Sequence, residues 1–262
     1  MKTSRSPDTS EECPVNWSEH SRIVGPCIRP GGTLLTERAL ALCNLTSGSR
    51  IADIGCGAGG TLEYFEKSGD YCLVGLDCSE ALLAEAGSRF RTGHLVRGLA
   101  EALPFSSNAF DAVVCECVLS ILSDRITTLR ECSRVLKEGG YLIVSDVISE
   151  SCLGLGALKG TLEPLTKDDL LNLLAEFGFT LLLWEEHKKL LKEFAVRMIF
   201  AGVTLPGLWG CSRKGDQTNR VGTSYFLMVA RKSGSAFQPF ENNGSSYHGR
   251  SDHTATNSDE KL

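Results

Sequence analysis

Residues 51–60 read Ile51-Ala52-Asp53-Ile54-Gly55-Cys56-Gly57-Ala58-Gly59-Gly60, and their setting decides the fold. The run SRIADIG (49–55) predicts a strand ending in glycine. TLEYFEKSG then places Leu62 and Phe65 on one helical face, with Gly69 as the stop. Glycines in a strand-to-helix turn let the backbone bend tightly and approach a ligand that a Cβ would exclude. The string satisfies two patterns. Gly55, Gly57 and Gly60 fit the dinucleotide pattern G-x-G-x-x-G, and Gly55, Gly57 and Gly59 fit G-x-G-x-G. Asp53 favours the second, because a carboxylate two residues before the first glycine attracts an ammonium group and repels a pyrophosphate.

Outward from this turn the chain alternates strand and helix patterns. CLVGLD (72–77) reads as a second strand, and Ser79 caps a helix on which Leu82, Ala86 and Phe90 recur every four residues. HLVRG (94–98) is a third strand and FDAVVCECV (110–118) a fourth, apolar enough to be buried on both faces. Asp124 caps a helix with Ile126, Leu129, Ser133 and Leu136 inward, ended by Gly139-Gly140, and YLIVSDV (141–147) is a fifth strand. Thr166 with Asp169 opens a helix in capping-box fashion, with Leu170, Leu173, Leu174 and Phe177 inward. FTLLLWEE (179–186), an amphipathic helix from Lys188 to Ala201, and GTSYFLMVARK (222–232) complete the pattern. Alternation of this kind predicts a doubly wound, mostly parallel α/β sheet with its ligand beyond the carboxyl ends of the strands.

Residues 1–20 are polar, and 233–262 hold too few apolar side chains to join a core, so both read as flexible and the domain as 21–232. With 262 residues, 42% of them hydrophobic, and a net charge of -5, the chain suits one globular domain. No Lys/Arg block points to nucleic acid or an anionic membrane. No leader and no apolar run of spanning length is visible, which predicts a cytoplasmic protein. Eleven cysteines, an odd number, read as reduced thiols, and Cys72, Cys115 and Cys132 as small hydrophobes in apolar runs.

Asp77 ends the second strand about 20 residues beyond the glycines, where an acid accepts both ribose hydroxyls. Its competing role, a helix cap, is already supplied by Ser79. IADIGCGAGG, VGLDCSEALL, GLAEALPFSSNAFDAVVCECVLSIL and RECSRVLKEGGYLIVSDV together resemble the motifs of class I S-adenosyl-L-methionine (SAM)-dependent methyltransferases, over residues 30–147. The small-molecule group, with its quinone-ring and arsenite enzymes, is the most similar. The resemblance implies a seven-stranded Rossmann-like sheet with the last strand antiparallel, SAM as cofactor and a small-molecule methyl acceptor. It implies that Asp53, Gly55, Cys56, Gly57 and Gly59 hold the methionine part, that Asp77 holds the ribose and that Cys78 lies beside the adenine. Leu99, Ala100 and Glu101 would border the adenine edge, Leu99 standing where many relatives have an acid. Cys115 and Glu116 would end the fourth strand under the sulfonium.

The acceptor is less defined. Cys117-Val118-Leu119-Ser120-Ile121 resembles the run that carries a cysteine in arsenite methyltransferases, which makes Cys117 the candidate catalytic residue, with Cys27, Cys43 and Cys211 as possible thiolate partners. Cys115 and Cys117 read equally as small buried side chains. No metal site is predicted, and no histidine stands at an evident base position. Residues 187–221 would be an insertion between the last two strands, acting as a lid, a dimer contact or an edge cover. Segment 14–36 is a second candidate lid, with Arg29 or Thr33 near the cofactor. A SAM-binding module without catalysis and a nicotinamide oxidoreductase are the other functions this pattern allows.

Overall fold

The computed structural model describes residues 21, 25–150, 165–202 and 222–233. Residues 1–20, 203–221 and 234–262 lie outside this set, and with them Cys211, most of the proposed insertion and nearly all of the C-terminal tail. The elements, in chain order, are α1 (Leu34–Leu40), β1 (Arg50–Ile54), α2 (Gly60–Ser68), β2 (Cys72–Asp77) and α3 (Glu80–Arg89). Then come β3 (His94–Arg97), β4 (Phe110–Glu116), a 3-10 turn (Leu119–Ile121), α4 (Arg125–Val135) and β5 (Leu136–Ser149). The described chain finishes with α5 (Lys167–Glu176), β6 (Phe179–Glu186), α6 (Lys188–Phe200) and β7 (Thr223–Lys232). The caps follow from side chains three residues from their targets. Ser79 accepts from Leu82 N–H, Asp124 from Thr127 N–H, and Thr166 and Asp169 form a reciprocal capping box.

The seven strands form one sheet in the order β3-β2-β1-β4-β5-β7-β6. β7 runs antiparallel to both β5 and β6, and the other pairs are parallel. From β1 the chain steps outward to β2 and β3, then returns to β4 on the other side of β1. The order therefore reverses between β1 and β4, the place where open α/β sheets leave a crevice.

A core cluster covers each face. Ala52, Ile54, Leu76, Val113 and Cys115 pack with α4 and α5, whereas Ile51, Leu73, Ala112 and Val114 pack with α1, α2 and Leu191 of α6. Because side chains alternate along a strand, Asp53, Asp77 and Glu116 must share the face of Ile51, Leu73 and Val114. The register sets Asp53 opposite Gly75 and Val114, so Asp77 and Glu116 lie two residues farther along the flanking strands. Three carboxylates thus end three adjacent strands on one face.

Three expectations need correction. α4 stops at Val135 rather than at Gly139-Gly140, because Leu136 pairs with Phe110 and already belongs to β5; the glycines bend that strand, with Gly139 at φ +75° beside Arg231. The buried face of α4 is Arg125, Thr128, Leu129, Cys132 and Val135, so Ile126 and Ser133 are only partly covered. Cys72 is exposed at the start of β2, where the strand has not yet entered the sheet interior, while Cys115 and Cys132 are buried as expected. No disulfide joins any of the described cysteines. Of the segment proposed as a lid, α6 lays Leu191, Phe194 and Met198 inward on the sheet.

Candidate functional site

A cavity of about 180 Å³ opens above the switch point. Gly55, Cys56, Gly57 and Ala58 form its floor, Asp77, Cys78 and Ser79 one side, Leu99, Ala100 and Glu101 the next, and Glu116, Cys117 and Val118 the opposite wall. Pro26, Ile28 and Arg29 close it from the N-terminal segment. Gly55 is required twice over: its φ is +73°, and a Cβ there would lie 2.4 Å from Val118 Cγ2. Gly60 lets the N-terminal segment press on the start of α2, since a Cβ would meet Cys27 Sγ at 2.4 Å and the Pro26 backbone at 2.9 Å.

Asp77 is oriented by the backbone. Its Oδ2 accepts the Gly57 N–H at 2.8 Å and its Oδ1 the Ser79 N–H at 2.9 Å. With the further backbone bond from Cys78, the carboxylate still keeps an acceptor position for another donor. Burial raises its pKa, and the bonds from Ser79, Gly57 and Cys78 oppose that rise.

The opposite wall is held by a buried ion pair. Arg29 Nη2 lies 2.9 Å from Glu116 Oε2. The same guanidinium donates to Thr61 Oγ1 at 2.7 Å, Thr36 Oγ1 at 2.8 Å and the Gly32 carbonyl at 2.8 Å. Thr36 and Thr61 in turn donate to the two Glu116 oxygens, each at 2.8 Å. Burial, the largest single influence, would lower the Arg29 pKa, but Glu116 together with Cys27, Tyr225 and Asp53 outweighs it and the net direction is upward.

Asp53 has no such company. It is 2% exposed, and its Oδ2 has no hydrogen-bond partner. Burial, then repulsion from Glu116, raises its pKa to about 8; Arg29 offsets part of this and Asp77 adds to it.

Cys117 takes a left-handed backbone, φ 58°, uncommon for a residue with a side chain. Its N–H bonds to the Ser145 carbonyl and its Sγ lies 3.2 Å from Tyr225 Oη. Tyr225 in turn donates to Ser145 Oγ at 3.0 Å. Burial, the leading cause, pushes the Cys117 pKa upward.

Of the residues expected at the site, Gly55, Cys56, Gly57, Asp77, Cys78, Leu99, Ala100, Glu101, Glu116 and Cys117 line the cavity, and Asp53, Gly59 and Cys115 do not. Gly59 backs onto Ala86 of α3. Cys115 faces the other side of the sheet, 3.9 Å from Cys132 Sγ, because neighbouring strand residues cannot both point into one cavity. Arg29 reaches the wall from the N-terminal segment, whereas Thr33 does not. Cys43 is buried in the core cluster against which Cys117 packs and does not line the cavity. Among the described residues no group of three His, Cys, Asp or Glu side chains is placed to hold a metal ion. Thr36, Thr61 and Tyr225 were not anticipated. A signal existed for the threonines: both are buried hydroxyls on inward helix faces, where a polar side chain calls for a partner.

The sheet order, its antiparallel strand and the glycine turn beneath the cavity define the Rossmann-like methyltransferase fold. Residues 52–144 match a family described as a methyltransferase domain. The methyltransferase YodH of Bacillus subtilis is 32% identical over 182 residues, 68% of this chain and 72% of that protein. The demethylmenaquinone methyltransferase of Thermotoga maritima is 30% identical over 113 residues, 43% of this chain; the match spans 49% of that protein's length. Phosphoethanolamine N-methyltransferase 2 of Haemonchus contortus, solved with S-adenosyl-L-methionine, has the same fold, with a TM-score of 0.64 at 19% identity, covering 83% of this chain and 56% of that one. The chain belongs to the class I SAM-dependent methyltransferases, whose methyl donor is S-adenosyl-L-methionine.

Two outcomes follow from the charges. Arg29→Met strands Glu116 in a buried site and should cost about 3–5 kcal/mol in urea denaturation, most of it recovered in Arg29→Met/Glu116→Leu. Asp53, with its folded pKa of about 8 against 3.8 in a model compound, contributes stability that is complete at low pH and is lost as pH rises through the folded value. Ligand-free protein should therefore lose at least about 1 kcal/mol relative to Asp53→Asn between about pH 5 and pH 8, read as a Tm difference of about 2–4 °C.

Proposed function

We propose that this chain transfers the methyl group of SAM to a small-molecule acceptor, and that the cavity over the β1–β4 switch is where it does so. The observation that carries the reading is the acidic face. Asp77 and Glu116 line the cavity from the strands that flank Asp53, which lies buried on the same face, and Arg29, the single cation among the described lining residues, is already paired with Glu116. A pyrophosphate would meet net negative charge there, whereas an ammonium and a sulfonium would be attracted. This argues against the nicotinamide alternative.

The residues present fit the cofactor. The unpartnered Asp53 oxygen and the backbone around Gly55, Cys56 and Gly57 suit the methionine end. Asp77, held by backbone N–H groups with an acceptor position to spare, suits vicinal ribose hydroxyls. Cys78, Leu82 and the Leu99–Glu101 segment offer an adenine slot with apolar walls. SAM supplies an already activated methyl group, so little covalent chemistry is asked of the protein. The chain's contribution is alignment and exclusion of water. Ile28 and Val118 make apolar surface at the mouth, and the Arg29–Glu116 pair ties the N-terminal segment over it.

A small acceptor agrees with the quinone methylation named for the Thermotoga relative. The arsenite alternative needs thiolates, and burial instead favours the protonated form of Cys117. Cys117 is then a neutral, soft group facing the acceptor end. Among the described residues no helix is long and apolar enough to cross a membrane.

Calorimetry should show SAM and S-adenosylhomocysteine binding to the folded protein; absence of both would end this proposal. Asp77→Ala should lower SAM affinity by roughly tenfold or more through loss of charge-assisted bonds. Arsenite offered with SAM should yield no methylated product above the protein-free control. A product that disappears in Cys117→Ser would restore the thiolate role.

A further inference from the structure

The three carboxylates are not equally provided for. Glu116 receives a guanidinium and two hydroxyls, and Asp77 receives two backbone N–H groups. Asp53, on the middle strand, is 2% exposed and leaves Oδ2 with no partner. The guanidinium that would neutralise it is committed to Glu116, Thr36, Thr61 and the Gly32 carbonyl. An ionised carboxylate buried beside two others without a countercharge of its own is too costly to persist. From this geometry we infer that Asp53 carries a proton in the ligand-free chain and gives it up when a cationic ligand binds, so that it selects for positive charge. The inference rests on the reading of the cavity as a SAM site.

The groups facing Asp53 can be named from each side. Glu116 comes from β4, Asp77 from β2, Arg29 from the N-terminal segment, and Cys27 and Cys56 from that segment and the glycine turn, while Cys115 of β4 acts from the other face of the sheet. Burial raises the pKa of each of these thiols, so they add no negative charge, except that in Cys115 the bond to Cys132 is the leading cause. Burial is the leading reason the proton stays on Asp53, and the balance of fixed charge, two carboxylates against one guanidinium, adds to it. A cation brought to this face reverses that balance. The O–H bond of Asp53 breaks, its electron pair remains on the carboxylate, and the proton passes to the buffer.

This makes ligand binding a proton-releasing event. The test is calorimetric titration of the full-length chain with SAM at pH 6.5, in two buffers of different ionisation enthalpy. At that pH the ligand's α-amino group is protonated before and after binding and contributes little. About one proton released per site, and no less than about half, is expected for the wild type, with none for Asp53→Asn. Wild-type affinity should also rise by up to about tenfold per pH unit between about pH 6 and pH 7.5. That measurement needs no variant, so a misfolded Asp53→Asn does not spare the inference. Binding with equal heats in both buffers and no rise in affinity overturns it while leaving the SAM site intact. Absence of binding in either buffer overturns the parent reading and this inference together.

Discussion

Arg29 and Glu116 meet inside the protein, and the shape of the cavity depends on their meeting. Glu116 ends a central strand and cannot move. Arg29 belongs to a segment with little regular structure, which without an anchor would have no reason to lie over the switch point. The pair, with Thr36 of α1 and Thr61 of α2, ties that segment to two helices and the sheet at once. Desolvating both charges is expensive, and the cost is tolerable because nearly every donor and acceptor in the set is used. The same completeness has a side effect: the guanidinium is unavailable to Asp53. One satisfied network leaves its neighbour unsatisfied, and the electrostatic character of the cavity follows from that imbalance.

The sheet supplies the frame for this arrangement. Parallel strands bring Asp53, Asp77 and Glu116 to the same edge, and alternation turns all three to the same face. The reversal of strand order parts the loops above them, so the space stays open. None of these features is specific to one acceptor. They make a place for a ligand with positive charge next to a nucleoside, and the surrounding apolar walls keep water out.

Much of this was readable from the chain because it is local. Ser79, Asp124 and the Thr166–Asp169 pair cap helices through residues three positions away, and the glycine turn lies between a strand and a helix that its neighbours specify. The strand number and the antiparallel last strand followed from likeness to a known family, since alternation alone does not number strands. The failures share a cause in long-range pairing. Gly139-Gly140 looked like a helix stop, but Leu136 had already been claimed by Phe110 across the sheet. Cys115 was assigned to the cavity together with Glu116, although strand alternation forbids it. The network around Glu116 joins residues 55, 80 and 87 positions away, and no window of sequence holds them together.

The place of β7 has a consequence for how the chain is made. It is the last strand in sequence among the described residues, yet it lies between β5 and β6 and pairs with both. Until Lys232 has left the ribosome, β5 presents a raw edge and β6 has no neighbour in the sheet. Tyr225, which sits against Cys117, arrives with the same strand. Non-local pairings of this kind form late and slowly, and exposed edges in the interval invite association with other chains. The nascent protein therefore carries its glycine turn and most of its carboxylate face early, but its sheet stays incomplete, with an exposed edge, until β7 is inserted.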